Sequence, residues 1–164
     1  MSKAIVVMGV SGCGKSSLAA ALAETLGWKF VEGDALHPPA NIDKMARGQA
    51  LTDADRAPFL ANVGQAIAAA ASTGVVASCS ALKVAYRNQL RQHCPEIIFI
   101  LPKVSQEELQ RRVQARPNHF MPASLLASQL ATLEPFAEHE AAISVDGCLP
   151  LSQQVQYLRQ QLSL

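Results

Sequence analysis

A chain of 164 residues in which 49% are apolar and 16% are Asp, Glu, Lys or Arg has the size of one domain and is too hydrophobic to stay disordered. Fourteen basic against thirteen acidic side chains leave a net charge of +1, which excludes a global field for nucleic acid or an anionic membrane and requires any anion site to be local. Four cysteines, at 13, 79, 94 and 148, form no C-x-x-C pair, a poor match to a disulfide framework or a zinc module; a reducing cytosol, hence a cytoplasmic protein, fits best.

The first predicted element is the apolar run Ala4 to Met8, a strand that leads directly into a glycine loop. It carries no small-residue cleavage site, so no targeting segment is expected. Leu18, Ala19, Leu22, Ala23 and Leu26 repeat at helical spacing, with Gly27 as a stop. Lys29 to Glu32 reads as a second strand, and the stretch Asp34 to Met45, with its double proline and mixed charges, does not look like framework. Thr52-Asp53-Ala54-Asp55 has the S/T-x-x-D/E signature of a helix start, continued by Phe59, Leu60, Val63 and Ile67. The uncharged run Ala57 to Leu82 is long enough to span a bilayer, but Pro58, Asn62, Gly64, Gln65 and Ser72-Thr73-Gly74 interrupt it; it reads as a buried helix, a turn and the strand Val75 to Ser78. Ile97 to Leu101 is a fourth strand, and Ser105 to Glu108 repeats the helix-start signature. A lid insertion is expected over about 111–135, carrying three arginines, His119 and a helix seeded by Pro122. The strand Ile143 to Val145 and an amphipathic helix through Val155, Leu158 and Leu162 close the chain. Strands alternating with helices predict a single α/β domain over 1–164, with a mostly parallel sheet covered on both faces and ligands beyond the carboxyl ends of its strands.

Gly9-Val10-Ser11-Gly12-Cys13-Gly14-Lys15-Ser16 matches G-x-x-x-x-G-K-[ST] at every fixed position, between a strand and a helix, the context in which this loop cradles phosphates. Glycines let the backbone wrap phosphate oxygens, N–H groups at the helix start (Ser17 included) point inward, Lys15 neutralises β/γ charge and Ser16 can ligate magnesium. With neither an N-K-x-D nor a D-x-x-G segment, ATP is the expected nucleotide. The third strand ends in Ser78-Cys79-Ser80 rather than in an aspartate, which leaves the metal's second carboxylate unassigned, Asp34 being the best-placed candidate. Asp34 also lies on the same sheet edge as the loop, where it can orient or deprotonate an acceptor hydroxyl. Arg112 and Arg116, four apart, face one side of a helix and can close over the phosphates as an internal arginine finger. Cys13, among amides beside Lys15, is expected to be the most readily alkylated cysteine.

Beyond the loop, five segments in order resemble the gluconate kinases: Met8 to Ser16, Glu32-Gly-Asp-Ala-Leu-His-Pro through Met45, Leu51 to Pro58, Cys79-Ser-Ala-Leu-Lys-Val-Ala-Tyr-Arg87, and His119-Phe-Met-Pro with Leu125 to Gln129. Departures are Cys13 for serine, Phe59 for tryptophan and Asn88 for an acid. The resemblance implies a three-layer P-loop kinase fold like that of nucleoside monophosphate kinases, with a parallel five-stranded sheet and a helical lid. It implies transfer of a phosphoryl group from ATP to D-gluconate, giving 6-phospho-D-gluconate, with magnesium and as a homodimer. A polyhydroxy acid needs a cation and hydrogen-bonding side chains; His37, Asn41, Lys44, Arg56, Lys83, Arg87 and His119 are the available groups, Lys83 and Arg87 the strongest, with Tyr86 assigned to packing. Two other readings use the same loop: a shikimate- or nucleotide-kinase-like enzyme, against which Gly33 to Pro38 argues, and a non-catalytic ATP-binding module, against which Asp34 and the lid arginines argue.

Overall fold

The computed structural model describes residues 3–115 and 124–164. Strands β1 (Ala4–Val7), β2 (Lys29–Glu32), β3 (Val75–Ser78), β4 (Ile98–Lys103) and β5 (Ala142–Asp146) form one sheet in the order β2-β3-β1-β4-β5, and each neighbouring pair is parallel. Parallel neighbours require crossovers, supplied by α1 (Lys15–Leu26), α2 (Pro39–Ala46), α3 (Asp53–Ala70), α4 (Val84–His93), α5 (Gln106–Ala115), α6 (Ser124–Thr132) and α7 (Leu151–Leu162).

Strand β1, central in the sheet, reads Ala-Ile-Val-Val without alternation because it is buried on both faces. On one face Leu18, Leu22, Val155 and Leu158 of α1 and α7 pack against Ile5, Val7 and Ile100. On the other, Phe59, Leu60, Val63 and Ile67 of α3 and Leu90 of α4 pack against Val6, Ala77 and Phe99. Sheet and two helical layers make the expected three-layer architecture.

The uncharged run resolves into α3, a turn and β3, and no described helix is long and apolar enough to cross a membrane. Helix α3 starts at the expected capping box: Asp55 N–H donates to Thr52 Oγ1 at 3.1 Å, and Thr52 N–H donates to Asp55 Oδ2 at 2.8 Å. Strands β4 and β5 run further than their apolar cores suggest, because they pair from Phe99–Ala142 to Lys103–Asp146, and polar residues at a sheet edge carry no hydrophobic signal. Residues 111–115 of the expected lid belong to α5, which starts at Gln106, and α6 supplies its later part. Arg116, His119 and the Pro122-seeded helix start lie outside the described residues.

Candidate active site

The loop between β1 and α1 lies at the carboxyl edge of the sheet. Gly14 caps α1 with a left-handed backbone (φ 89°), a conformation open to glycine at little cost. Gly9 N–H donates to the Ser80 carbonyl at 3.1 Å, fastening the loop to the chain beyond β3. A cleft opens there, lined by Ser11, Lys15, Asp34, His37, Arg56 and Phe59 among others. A wider groove of about 640 Å³ between α1 and α7 contains none of the motif side chains; the chemistry, not the size, identifies the site.

Asp34 reaches the cleft through Gly33. A Cβ on Gly33 would lie 1.9 Å from the Ser78 carbonyl oxygen, so only glycine lets the chain cross the end of β3 and turn through Gly33–Leu36. Among the described residues neither the Asp34 carboxylate nor the Lys15 ammonium has a protein hydrogen-bond partner, so both charges face the cleft unspent.

His37 stacks flat on Phe59, with ring centroids 3.6 Å apart and 7° between planes. Burial holds its pKa below the usual value, with Arg56 acting in the same sense and Asp34 opposing, so the ring is neutral at neutral pH. Arg56 Nη1 donates to the Leu51 carbonyl at 2.7 Å and to Tyr86 Oη at 3.0 Å, leaving Nε and Nη2 without protein partners among the described residues. Tyr86 Oη in turn donates to Asp53 Oδ1 at 2.5 Å. This bond holds the Asp53 carboxyl below its usual range, while burial pushes the phenol up.

Other expected cations are engaged elsewhere. Lys44 bonds Asp55 at 2.6 Å, and Lys83 pairs with Asp53 at 3.6 Å on the rim. Arg87 is a correction: its side chain is fully buried and its donors are taken by both oxygens of Glu140 and by the carbonyls of Ala81, Leu82, Glu134 and Pro135. It braces the loop after β3, where Ala81 holds a left-handed φ of 45°, and does not itself line the cleft. Arg112 differs likewise from the expected finger. Its Nη1 and Nη2 donate to the Gly12 and Gly147 carbonyls at 3.1 Å and its Nε to Glu108 at 3.0 Å, so it ties the phosphate loop to the turn after β5. Cys13, expected to be alkylated most readily, is buried with Sγ directed at the Met8 carbonyl, whereas the exposed thiol is that of Cys148. Burial pushes the Cys79 thiol up to about 12.

Residues 5–136 match a family model described as an AAA domain. A gluconokinase of Gluconobacter oxydans is 55% identical over 145 residues, covering 87% of this chain and 82% of that one. The chain belongs to the gluconokinase family. Among solved structures, a gluconokinase from Sinorhizobium meliloti superposes with a TM-score of 0.85 at 46% identity, covering 98% of this chain and 95% of the other. A sugar kinase from Janibacter reaches 0.93 at 41% identity, covering 99% and 95%.

Two residues of this gluconokinase-family site carried no role in the sequence reading. Glu32, the last residue of β2, accepts through Oε1 from Ser16 Oγ at 2.9 Å and from Ser78 Oγ at 2.5 Å, while Ser78 Oγ accepts from Gly33 N–H at 3.2 Å. The carboxylate against Ser16 is therefore Glu32, not Asp34. A signal for it existed: β3 ends without an acid, and the neighbouring strand ends in one. Gln129 of α6 accepts the Ser11 N–H at 2.7 Å through Oε1, joining α6 to the phosphate loop; its place in the family-matching segment Leu125 to Gln129 marks it in the sequence, but nothing local to the helix gives it this role.

Proposed function

We propose that the chain transfers the γ-phosphoryl group of ATP to D-gluconate, giving ADP and 6-phospho-D-gluconate. The observation that carries this reading is the unpartnered pair Lys15 and Asp34 in one cleft with Arg56 and His37. Loop amides and Lys15 hold the phosphates. The two open nitrogens of Arg56 suit a carboxylate, and His37 a hydroxyl. The attacking hydroxyl oxygen forms the new bond to phosphorus, the bond from phosphorus to the β–γ bridging oxygen breaks, and Asp34 takes the hydroxyl proton. Ser16 and Glu32 offer only oxygen, a donor set that fits magnesium, which binds through one or two protein oxygens together with phosphates and water. Bound there, the ion would supply charge neutralisation on the phosphates. Free cysteines and the family resemblance extend the reading to a cytoplasmic homodimer.

Coupled ADP release, measured with D-gluconate, shikimate and nucleoside monophosphates, tests the substrate. Gluconate-dependent release is expected, and equal activity with either other acceptor, or none with any, overturns the reading. Asp34→Asn should lower kcat by about 10² to 10⁴ while leaving ATP affinity and melting temperature nearly unchanged. Near-normal turnover removes Asp34 from the chemistry.

A further inference from the structure

Asn41, on α2, is 4% exposed, and the two partners of its amide nitrogen fix how the amide is turned. Nδ2 donates to the Asp55 main-chain carbonyl at 2.9 Å. That oxygen can only accept, so the amide orientation is fixed. The same nitrogen lies 3.2 Å from His37 Nδ1 and turns its second hydrogen toward it, so Nδ1 must accept. An imidazole that accepts at Nδ1 carries its one proton at Nε2, and a second proton at Nδ1 would set N–H against N–H. The ring face is fixed by the stack on Phe59. Nε2 has no hydrogen-bond partner among the described residues, and His37 lines the cleft with Lys15, Asp34 and Arg56.

We infer that Asn41 locks His37 as its neutral Nε2–H tautomer, so that His37 presents one obligatory hydrogen-bond donor to the acceptor substrate and Asn41 is a positioning residue for substrate recognition. The substrate class, a polyhydroxy acid, rests on the proposed function; the tautomer lock does not. A fixed donor pairs with a hydroxyl lone pair or a carboxylate oxygen and refuses a group that offers only N–H at that point. Neutrality also matters beside Asp34: an imidazolium there would compete with the acceptor hydroxyl for that carboxylate. The charged groups that face the ring are Asp34, which favours protonation, and Arg56, which opposes it together with burial.

Long-range proton–nitrogen correlation NMR on ¹⁵N-labelled protein at neutral pH reads the tautomer directly, with the His37 signal assigned by its loss in His37→Gln. The Nε2–H pattern is expected in the wild type, and a mixture of tautomers in Asn41→Ala. An Nδ1–H tautomer or an imidazolium in the wild type overturns the inference. Kinetics supply a second reading that does not depend on tolerance of a buried Asn41 substitution. Glutamine can place an amide N–H near the position of Nε2, whereas asparagine places it near Nδ1. His37→Gln should therefore raise the gluconate KM only a few-fold, and His37→Asn by about 10- to 100-fold, the range expected for losing a hydrogen bond to a charged or strongly polar group. The ATP KM should hold within about threefold in both. Asn41→Ala should raise the gluconate KM by about twofold, since its histidine spends only part of its time as the donor. Equal gluconate KM values for His37→Gln and His37→Asn overturn the donor role. An Nε2–H signal in a wild-type protein that phosphorylates shikimate or a nucleotide instead of gluconate would defeat the substrate reading and leave the tautomer lock standing.

Discussion

Arg56 and Arg87 each lie over an aromatic ring, Tyr86 and Phe136 respectively, and have opposite employments. Arg87 is wholly interior, stacked 5.1 Å from the Phe136 ring, and every direction of its guanidinium meets a carboxylate or carbonyl oxygen of this chain. Arg56 is half-buried, stacked at a matching 5.1 Å on Tyr86, and is pinned through Nη1 alone. The difference lies in donor occupancy. A guanidinium offers five N–H groups; where the fold uses all of them it is a brace, and where the fold uses one nitrogen and leaves the rest over a cleft it is a receptor.

Replacing Arg87 should have the largest effect, and on stability rather than on recognition. In Arg87→Met the buried Glu140 keeps only Arg91 and the Ala137 N–H, while the carbonyls of Ala81, Leu82, Glu134 and Pro135 lose a donor. Breaking a buried pair from one side costs about 3–5 kcal/mol. Denaturant unfolding should show a loss of that size, with the gluconate KM of the folded fraction near normal. A stable variant with a raised gluconate KM would return Arg87 to the substrate site and break the comparison.

Acid should weaken the same brace. Burial alone would push the Glu140 carboxyl up, but Arg87, the Ala137 N–H and Arg91 together hold it down at about 2, against 4.5 for the free group. Because the folded value lies below the unfolded one, the charged form's contribution is complete above about pH 4.5 and is lost as pH falls toward about 2. The stability gap between wild type and Glu140→Gln should therefore narrow over that window. Asp55 and Glu108 are also held at about 2, by Lys44 and by Arg111 with Arg112 respectively; on the exposed surface such pairs matter little. A gap that stays constant with pH would mean that Glu140 acts through shape alone.

How much of this was readable beforehand divides along the same line. The strands, α1, α3, α7 and the phosphate loop are legible because periodicity, capping residues and a spaced motif are local properties of the chain. Gly33 and Asp34 are legible as a motif, although the reason for the glycine, the Ser78 carbonyl 1.9 Å from its missing Cβ, is a contact across the sheet. The fates of Lys44, Lys83, Arg87 and Arg112 are not legible, because each depends on an oxygen elsewhere: Asp55 for Lys44, Asp53 for Lys83, Glu140 for Arg87, and the Gly12 and Gly147 carbonyls for Arg112. Glu32 is legible only in part: the missing acid at the end of β3 points to a neighbouring strand end, but its bond to Ser78 depends on the alignment of β2 with β3.

Arg56 should show the converse behaviour of Arg87. Arg56→Met removes the open nitrogens from the cleft and only two hydrogen bonds from the fold. The loss of charge-assisted bonds to a carboxylate is worth about 1.5–3 kcal/mol, or roughly a 10- to 100-fold rise in gluconate KM. Unfolding stability should change by no more than about 1 kcal/mol, as for a half-exposed side chain. If the gluconate KM is unmoved, the carboxylate is held elsewhere.

The smallest expected effect tests whether the pin on Arg56 matters as well as the arginine. Tyr86 is buried on α4, and its hydroxyl is the hinge of a chain: it donates to Asp53 Oδ1 and accepts from Arg56 Nη1. With the phenolic hydrogen committed to a carboxylate, the oxygen lone pairs are left to face Arg56. Tyr86→Phe keeps the ring under the guanidinium, and with it the stacking and packing, and removes only the hydroxyl. Arg56 retains its bond to the Leu51 carbonyl and gains freedom about its remaining torsions. An ordinary hydrogen bond contributes about 0.5–1.5 kcal/mol, so the gluconate KM should rise about two- to tenfold, with kcat and ATP KM within about twofold. In an Arg56→Met background the same substitution should add nothing to gluconate KM, because the group it orients is gone. Additive effects in the double variant would mean that Tyr86 reaches the substrate by a route other than Arg56, and equal loss of stability in both backgrounds with no change in KM would return Tyr86 to packing alone.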